Sequence, residues 1–483
     1  MIVMKFGGTS VADAARLHQV ATIIEAQPSP RAAVVSAASG VTNMLLDAAR
    51  AVAVDGGELA AKLVVDIRAR HHDVASAISD DQERAAAVAA LDQLHAALDD
   101  ALADVDRAGD LSSLNGDRIV ATGEKAMSIL LAATLRSRGA PAVHVWSDRV
   151  IATDNRHGNA RPDRVLTREL AAQEVQPHLD AGLTVVFTGF IGRAPDGATT
   201  TLGRGGSDYS ATLLAAALGA DEVQIWTDVP GVLSADPRQV PEARVVPGIS
   251  YDEAQELAHF GAKVLHPRTI RPAVSLGIPV RILSTFLPDE PGTLVTRDAP
   301  EESVKAVTAL NNLLLLTIDV PELEDLAAAS AAVFGALHGD RIEVVAASQA
   351  SSRRRMTYVV DASGHGGCAR VKQRMENALE DANVDGDVGC EEDVALVAAV
   401  GAGVAAAPQT LSLFLSILGR VGVPVLSTNQ QHSNAALTVA VPGKDAARAV
   451  LALHDAFIRP QPASSRSRRP RRSDMLAESL RVG

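Results

Sequence analysis

Apolar positions along the first 300 residues fall into two alternating patterns. Ile2 to Phe6 is a short apolar run broken by Gly7-Gly8, and Val11 to Glu25 then carries helical spacing (Val11, Ala14, Ala15, Leu17, Ala21, Ile24). Ala32 to Ala38 is a second apolar run, ended by Ser39-Gly40. Residues 44–110 are rich in Ala, Leu and Asp with helical period and few breakers, which predicts a helical excursion. Strands are predicted again at Ala142–Trp146, Thr184–Thr188, Glu222–Thr227 and Val280–Leu283, with helices between them. Continuous apolar strands alternating with helices predict an α/β fold in three αβα layers around a mainly parallel sheet. In such sheets ligands bind beyond the carboxyl ends of the strands. Gly7-Gly8, Ser36–Gly40, Thr188-Gly189 and Thr227-Asp228 all follow strands, so they are expected to line one crevice.

The pattern changes after the Pro/Gly-rich stretch 288–292 and the charged stretch 297–302. Apolar strands are predicted at Lys305–Leu310, Leu313–Val320, Ile342–Ala347, Met356–Asp361, Asp387–Cys390, Ala395–Gly401, Pro424–Thr428 and Ala435–Val441. Helical periods lie at 322–338, 367–383, 407–421 and 443–457. This reads as two βαββαβ units. The segment Leu313–Cys390 is complete, whereas Ala395–Phe457 lacks a last strand and Lys305–Leu310 is spare. The simplest solution inserts one unit (312–390) into the other (303–311 plus 391–459), after a first domain at 1–297. Arg466, Arg468, Arg469, Arg471 and Arg472 stand among Ser and Pro in the tail 460–483, which is expected to be disordered.

Charge and composition narrow the function classes. A net charge of −13 and a pI near 5.5 argue against bulk nucleic-acid binding. With 3% aromatics the cores must be aliphatic, and base stacking is not expected. No apolar run approaches the ~20 residues of a membrane helix, and no secretory pattern opens the chain. A cytoplasmic protein without membrane or nucleic-acid partners is the expectation. Cys368 and Cys390 are expected as small buried apolar side chains, neither a disulfide framework nor a metal site.

The candidate chemistry centres on Thr199-Thr200-Thr201-Leu202-Gly203-Arg204-Gly205-Gly206-Ser207-Asp208, which runs straight into an apolar helical pattern. Glycines let backbone N–H groups approach a ligand, and a helix N-terminus aims them at an anion. Arg204 adds a fork for a carboxylate or phosphate. Lys5 ends the first strand just before Gly7-Gly8-Thr9-Ser10, a cation and bare backbone ahead of a helix. It is not a P-loop, because the Lys precedes the glycines.

Taken together, Lys5–Ser10 and Thr201–Asp208 resemble the aspartate kinases of the amino-acid kinase family. Further blocks keep the family order: Val35–Asn43, Gly123-Glu124, Phe187–Gly192, Trp226–Gly231, Asp236-Pro237-Arg238 and Phe260–Pro267. The paired βαββαβ units resemble that family's ferredoxin-like ACT domains. The resemblance implies an ATP-dependent phosphorylation of L-aspartate to 4-phospho-L-aspartate, the first step of lysine, threonine and methionine biosynthesis.

Under this resemblance Lys5 neutralises the transferred phosphoryl group and Asp208 orients Lys5. Arg204 takes the α-carboxylate of aspartate and Glu124 its ammonium. Ser36, Thr42, Phe190 and Ser207 add hydroxyl, amide and shape contacts. Lys5, Gly7, Gly8, Ser10, Thr227, Asp228, Leu233, Arg238 and Lys263 are expected at ATP. Leu233 stands where relatives often carry an aromatic residue, so a phenol hydrogen bond to the nucleotide would be missing.

Mg²⁺ is expected on the ATP phosphates, and no protein metal site is expected. His259 and His266, seven apart, have no evident third ligand. An amino-acid effector is expected at the ACT units, whose sheet edges would also form a homodimer or homotetramer. Val345 stands about where lysine-responsive relatives carry Asp, which implies weak or altered lysine inhibition. A monofunctional kinase is expected, because the sequence leaves no room for a fused homoserine dehydrogenase. Kinases of glutamate, acetylglutamate or UMP are the rival enzymes; a catalytically dead amino-acid sensor is the rival of another class, although Lys5 and Asp208 are both kept.

Overall fold

The computed structural model describes all residues except 55, 262–266, 299–303, 351, 353, 405–406, 430–434 and 459–483. Lys263, His266 and the basic tail lie outside the described residues. The first region runs β1 (Ile2–Phe6), α1 (Ala14–Glu25), β2 (Arg31–Val35), α2 (Val41–Ala53), α3 (Gly57–Ser76), α4 (Asp81–Ala108), α5 (Ser113–Ser137) and β3 (Ala142–Val145). It continues through α6 (Arg164–Glu174), α7 (Gln176–Asp180), β4 (Thr184–Thr188), β5 (Ile191–Arg193), β6 (Thr199–Thr201), α8 (Gly206–Leu218), β7 (Glu222–Thr227), β8 (Gly248–Ser250), α9 (Tyr251–His259), α10 (Pro267–Leu276), β9 (Val280–Ser284) and β10 (Thr293–Thr296).

Eight of these strands form one sheet in the order β3-β4-β2-β1-β7-β9-β10-β8. The six from β3 to β9 pair in parallel. Strands β1, β2, β4 and β7 are thus neighbours, and the segments at their carboxyl ends share one rim, as the sequence implies. Two apolar cores cover the sheet faces, one with Val3, Val34, Val185 and α8, the other with Met4, Phe6, Val35 and α1 to α5. The helical excursion is α2, α3 and α4; they pack as a layer with α5 behind the sheet.

The second region holds β11 (Ala306–Asp319), α11 (Leu326–Gly339), β12 (Glu343–Ala350), β13 (Arg355–Asp361), α12 (Gly367–Asp381), β14 (Asp387–Val400), α13 (Pro408–Arg420), β15 (Ser427–Asn429), β16 (Ala436–Pro442) and α14 (Ala446–Phe457). Its six strands form one sheet, β12-β13-β11-β14-β16-β15. Two pairs of strands expected to be separate are continuous. Lys305–Leu310 and Leu313–Val320 merge into β11, and Asp387–Cys390 and Ala395–Gly401 merge into β14. The polar interruptions that looked like turns are irregularities within the β11–β14 ladder, with register shifts from Leu310 to Leu315. Asn312 (φ 61°) and Asp393 (φ 54°) take left-handed backbone there, as residues at bulges do.

The expectation for the cysteines is corrected. Cys368, at the start of α12, and Cys390, in β14, are joined by a disulfide with a Cα–Cα distance of 5.8 Å. Both are half-buried at the junction between helix and strand. Among the described residues no helix is long and apolar enough to cross a membrane.

Two buried contacts tie the regions together. Lys305 donates to Glu253 of α9 at 2.8 Å, with both side chains almost fully buried. Ser234 and His454 of α14 share a buried 2.9 Å hydrogen bond.

Candidate active site

The rim of the sheet encloses a cavity of about 600 Å³ lined by Lys5, Gly8, Ser36, Thr42, Asn43, Glu124, Phe190, Arg204, Ser207 and Asp208. Three parts of the chain build it. The first is the pair of loops after β1 and β2, which lace together. Ser36 N donates to Phe6 O and Ser39 N to Gly8 O, both at 3.1 Å. Gly8 must be glycine, because a Cβ would stand 2.8 Å from Ala37 O. The second is α5, which packs against this loop through Gly123; a Cβ there would sit 2.6 Å from the Ala37 Cβ. The third is the β6–α8 loop, where Gly203 and Gly205 have positive φ and Arg204 stands exposed between them.

Lys5 Nζ lies 2.7 Å from Asp208 Oδ1, with both side chains mostly buried. This Oδ1 accepts no hydrogen bond of ordinary geometry, so the contact is an ion pair held by distance. The first turn of α8 carries this one carboxylate. Arg204 is exposed and has no ion-pair partner among the described residues. Glu124 is 3% exposed and its Oε2 has no hydrogen-bond partner. Burial pushes its carboxyl up to about 8, against the lowering effect of backbone hydrogen bonds from Ala37 and from Glu124 itself. A buried carboxyl at a cavity, with one oxygen unpartnered, is a group that an ammonium could satisfy.

Phe190 adopts φ 70° and donates its N–H to Ser210 Oγ at 2.9 Å. A non-glycine residue in that region is strained, and such strain collects at ligand sites. Gly206 makes room for it, because a Cβ there would lie 2.5 Å from Phe190 Cδ2.

Behind the loop is an anchor that sequence reading missed. Asp117 of α5 is buried and accepts from Thr201 Oγ1 at 2.5 Å, from Gly158 N at 3.0 Å and from His157 Nδ1 at 2.9 Å. It fixes the end of β6 just ahead of Arg204. Its partners are 40 to 84 residues away in the chain, so no local motif reveals it.

The expected nucleotide residues divide. Gly7 stands next to Lys5 without lining the first cavity: its N–H donates to Trp226 O at 3.2 Å, and a Cβ would come within 3.5 Å of Lys5 Nζ. Thr227, Asp228, Leu233 and Arg238 line a second cavity of about 650 Å³, walled on its far side by Ala306–Asn312 of β11. Arg238 is 87% exposed and clasps its own neighbour Asp236 with Nε and Nη2, which also holds the Asp236 carboxyl below the usual range. Ser10 is not brought to either cavity. It is fully buried, and its hydroxyl shares a 3.0 Å hydrogen bond with Thr285.

The profile of the amino acid kinase family matches residues 1–284, and that of an ACT domain matches residues 397–457. The lysine-sensitive aspartokinase 3 of Escherichia coli (strain K12) is 35% identical over 467 residues, covering 94% of this chain and 98% of that protein. The crystal structure of E. coli aspartokinase III with aspartate and ADP, in its R-state, superposes with a TM-score of 0.77 at 32% identity, covering 94% of this chain and 99% of that one. The same enzyme with lysine and aspartate, in its T-state, gives 0.78 at 32% identity, covering 95% of this chain and 99% of that one. Against the bifunctional aspartokinase/homoserine dehydrogenase of Daucus carota, 32% identical, the match takes in 94% of this chain but only 50% of that protein's length. Lys5, Asp208, Glu124 and Arg204 meet in one cavity of a fold shared along nearly the whole chain, and the chain belongs to the aspartokinases of the amino acid kinase family.

Proposed function

We propose that Lys5, Asp208, Arg204 and Glu124 carry the aspartokinase reaction in this chain. L-aspartate enters the first cavity with its ammonium on Glu124 and its α-carboxylate on Arg204. Ser36, Thr42, Phe190 and Ser207 complete the fit. A side-chain carboxylate oxygen then attacks the γ-phosphorus of ATP. The new O–P bond forms as the bond to the β,γ-bridging oxygen breaks, and ADP leaves with that electron pair. No proton is transferred, because the attacking carboxylate is already ionised. Lys5 offsets the charge that builds on the phosphoryl oxygens, and Asp208 holds Lys5 in place. Positioning and electrostatics supply most of phosphoryl-transfer catalysis.

Gly7 and Gly8 leave space for the phosphates beside Lys5. Thr227, Asp228, Leu233 and Arg238 are the proposed adenosine side, with Lys263 as a further phosphate ligand. Ser10 supports the loop from inside. The first cavity offers two carboxylates, one protonated at neutral pH and one facing Lys5, which make no ligand set of their own. The donors therefore fit Mg²⁺ arriving on the ATP phosphates, where it would offset phosphate charge.

The same reading covers regulation and assembly. The strand pairing supports two interleaved ACT units, 312–390 within 303–311 plus 391–459, sharing β11 and β14. An amino-acid effector would bind there. Val345 is a buried apolar residue on β12, where a lysine ammonium would find no counter-charge from it, so lysine inhibition would be weak or altered. The end strands of this sheet, β12 and β15, would serve a homodimer or homotetramer. A cytoplasmic location belongs to this reading.

The observation that carries the proposal is the unpartnered Glu124 Oε2 and the exposed Arg204 lining one cavity with the Lys5–Asp208 pair. A coupled ADP-release assay with L-aspartate, L-glutamate, acetylglutamate and UMP tests it. Turnover with aspartate alone is expected, and preference for another acceptor overturns the assignment.

A further inference from the structure

The helical layer behind the sheet carries a cluster that the phosphoryl-transfer site does not use. Helices α3 and α4 face each other through Arg68 with Asp99, His71 with His95 and His72 with Asp92. The rising and falling numbers show an antiparallel ladder. His71 and His95 are almost fully buried and stack at 5.3 Å with 7° between their planes. His71 Nδ1 and His95 Nε2 are 3.0 Å apart and share one proton-bearing hydrogen bond. The outer nitrogen of each, His71 Nε2 and His95 Nδ1, is buried with no partner. An unsatisfied buried polar atom is costly, and a ligand on His95 Nδ1 would satisfy one of these two.

His72 Nε2 lies 3.3 Å from Asp92 Oδ1, and the His72 and His95 rings are 5.7 Å apart. One ligand atom each from His72, Asp92 and His95 falls within 4.8 Å of the others. Asp92 and His95 are three apart on α4, so they share a helix face. His72 is 37% and Asp92 63% exposed, which gives an ion a way in.

We propose that His72, Asp92 and His95 form a transition-metal site that ties α3 to α4, with His71 as its supporting residue. Two imidazoles and one carboxylate suit Zn²⁺, Co²⁺ or Ni²⁺ better than Mg²⁺ or Ca²⁺, which prefer all-oxygen sets. Three protein ligands leave the remaining position to water. His71 plays the part that outer-shell groups play at such sites: by holding one nitrogen of His95 it fixes the ring and leaves the other nitrogen for the ion. The role is structural. The clamp braces the layer against which α5 packs, and no step of phosphoryl transfer passes through it.

The test uses the full chain stripped with chelator and titrated with Zn²⁺ or Co²⁺ alone, without nucleotide. Expected are one tightly bound ion per chain, ligand-field bands from Co²⁺ in a low-symmetry site, and a rise in Tm on Zn²⁺ addition. The exposed-ligand variants Asp92→Asn and His72→Gln should keep the metal-free Tm and lose at least tenfold in Zn²⁺ affinity. His71→Phe should lower affinity by roughly 10- to 100-fold while keeping the Co²⁺ bands. Absence of stoichiometric binding in the unaltered chain, or unchanged affinity in both Asp92→Asn and His72→Gln, overturns the proposal.

Discussion

Glu124→Gln should do two opposite things. The carboxyl sits at about 8 in the folded protein against an ordinary value of 4.5, chiefly through burial. Between those values the folded chain holds a proton that the unfolded chain has released. Stability therefore falls as pH rises through that window, by about 1.4 kcal/mol per pH unit. At pH 7 the accumulated penalty is about 3 kcal/mol, and a neutral Gln of the same shape escapes it. The variant should thus melt higher than the parent at neutral pH, and the advantage should shrink to nothing near pH 4.5. Aspartate binding should move the other way. An amide offers the substrate ammonium no charge, and a hydrogen bond to a charged group contributes about 1.5–3 kcal/mol. KM for L-aspartate should rise roughly 10- to 100-fold with a smaller change in KM for ATP. Calorimetry from about pH 5 to about pH 8, paired with steady-state kinetics, reads both. A variant that melts lower than the parent at every pH, or binds aspartate unchanged, refutes the reasoning.

Four further outcomes follow from named contacts. Aspartate binding should release up to one proton per site near neutral pH, as Glu124 ionises to meet the ammonium; titration calorimetry in buffers of different ionisation enthalpy measures it. Asp208→Asn leaves Lys5 without its ion pair and should lower kcat by about 10²- to 10³-fold, comparable to losing one preorganised charge contact, with KM for aspartate changing less. Gly206→Ala places a Cβ 2.5 Å from the Phe190 ring and should cost about 1–3 kcal/mol of stability and raise KM for aspartate, read by Tm and kinetics. Reduction of Cys368–Cys390, or Cys368→Ser, opens a loop with a sequence separation of 22 and should destabilise the second region by about 3 kcal/mol while sparing basal turnover.

Much of this protein was readable from hydrophobic period alone. The parallel sheet and the shared rim of loops after β1, β2, β4 and β7 follow from apolar runs that alternate with helices. Helices α11 to α14 lie close to where the period places them. The misses have physical causes. Asn311-Asn312 and Glu391–Asp393 read as turns because polar residues in left-handed backbone serve bulges as readily as turns. Strands β5, β6, β8 and β10, of three or four residues each, are too short to show a period. The disulfide and the Asp117 and Glu253–Lys305 contacts join residues far apart in sequence, so spacing carries no trace of them. At the site, Lys5, Glu124, Arg204 and Asp208 were legible through the sequence blocks that resemble the family, although Glu124 lies inside α5 and Asp208 in the first turn of α8. Ser10 was misleading, since a hydroxyl next to glycines in sequence can still turn inward to Thr285.

Replacing Lys5 by Ala tests the central claim most directly, with phosphorylation of L-aspartate and calorimetric binding of L-aspartate measured on the same preparation. Turnover should fall by about 10³-fold or more while aspartate still binds through Glu124 and Arg204. Turnover equal to that of the unaltered chain would contradict it.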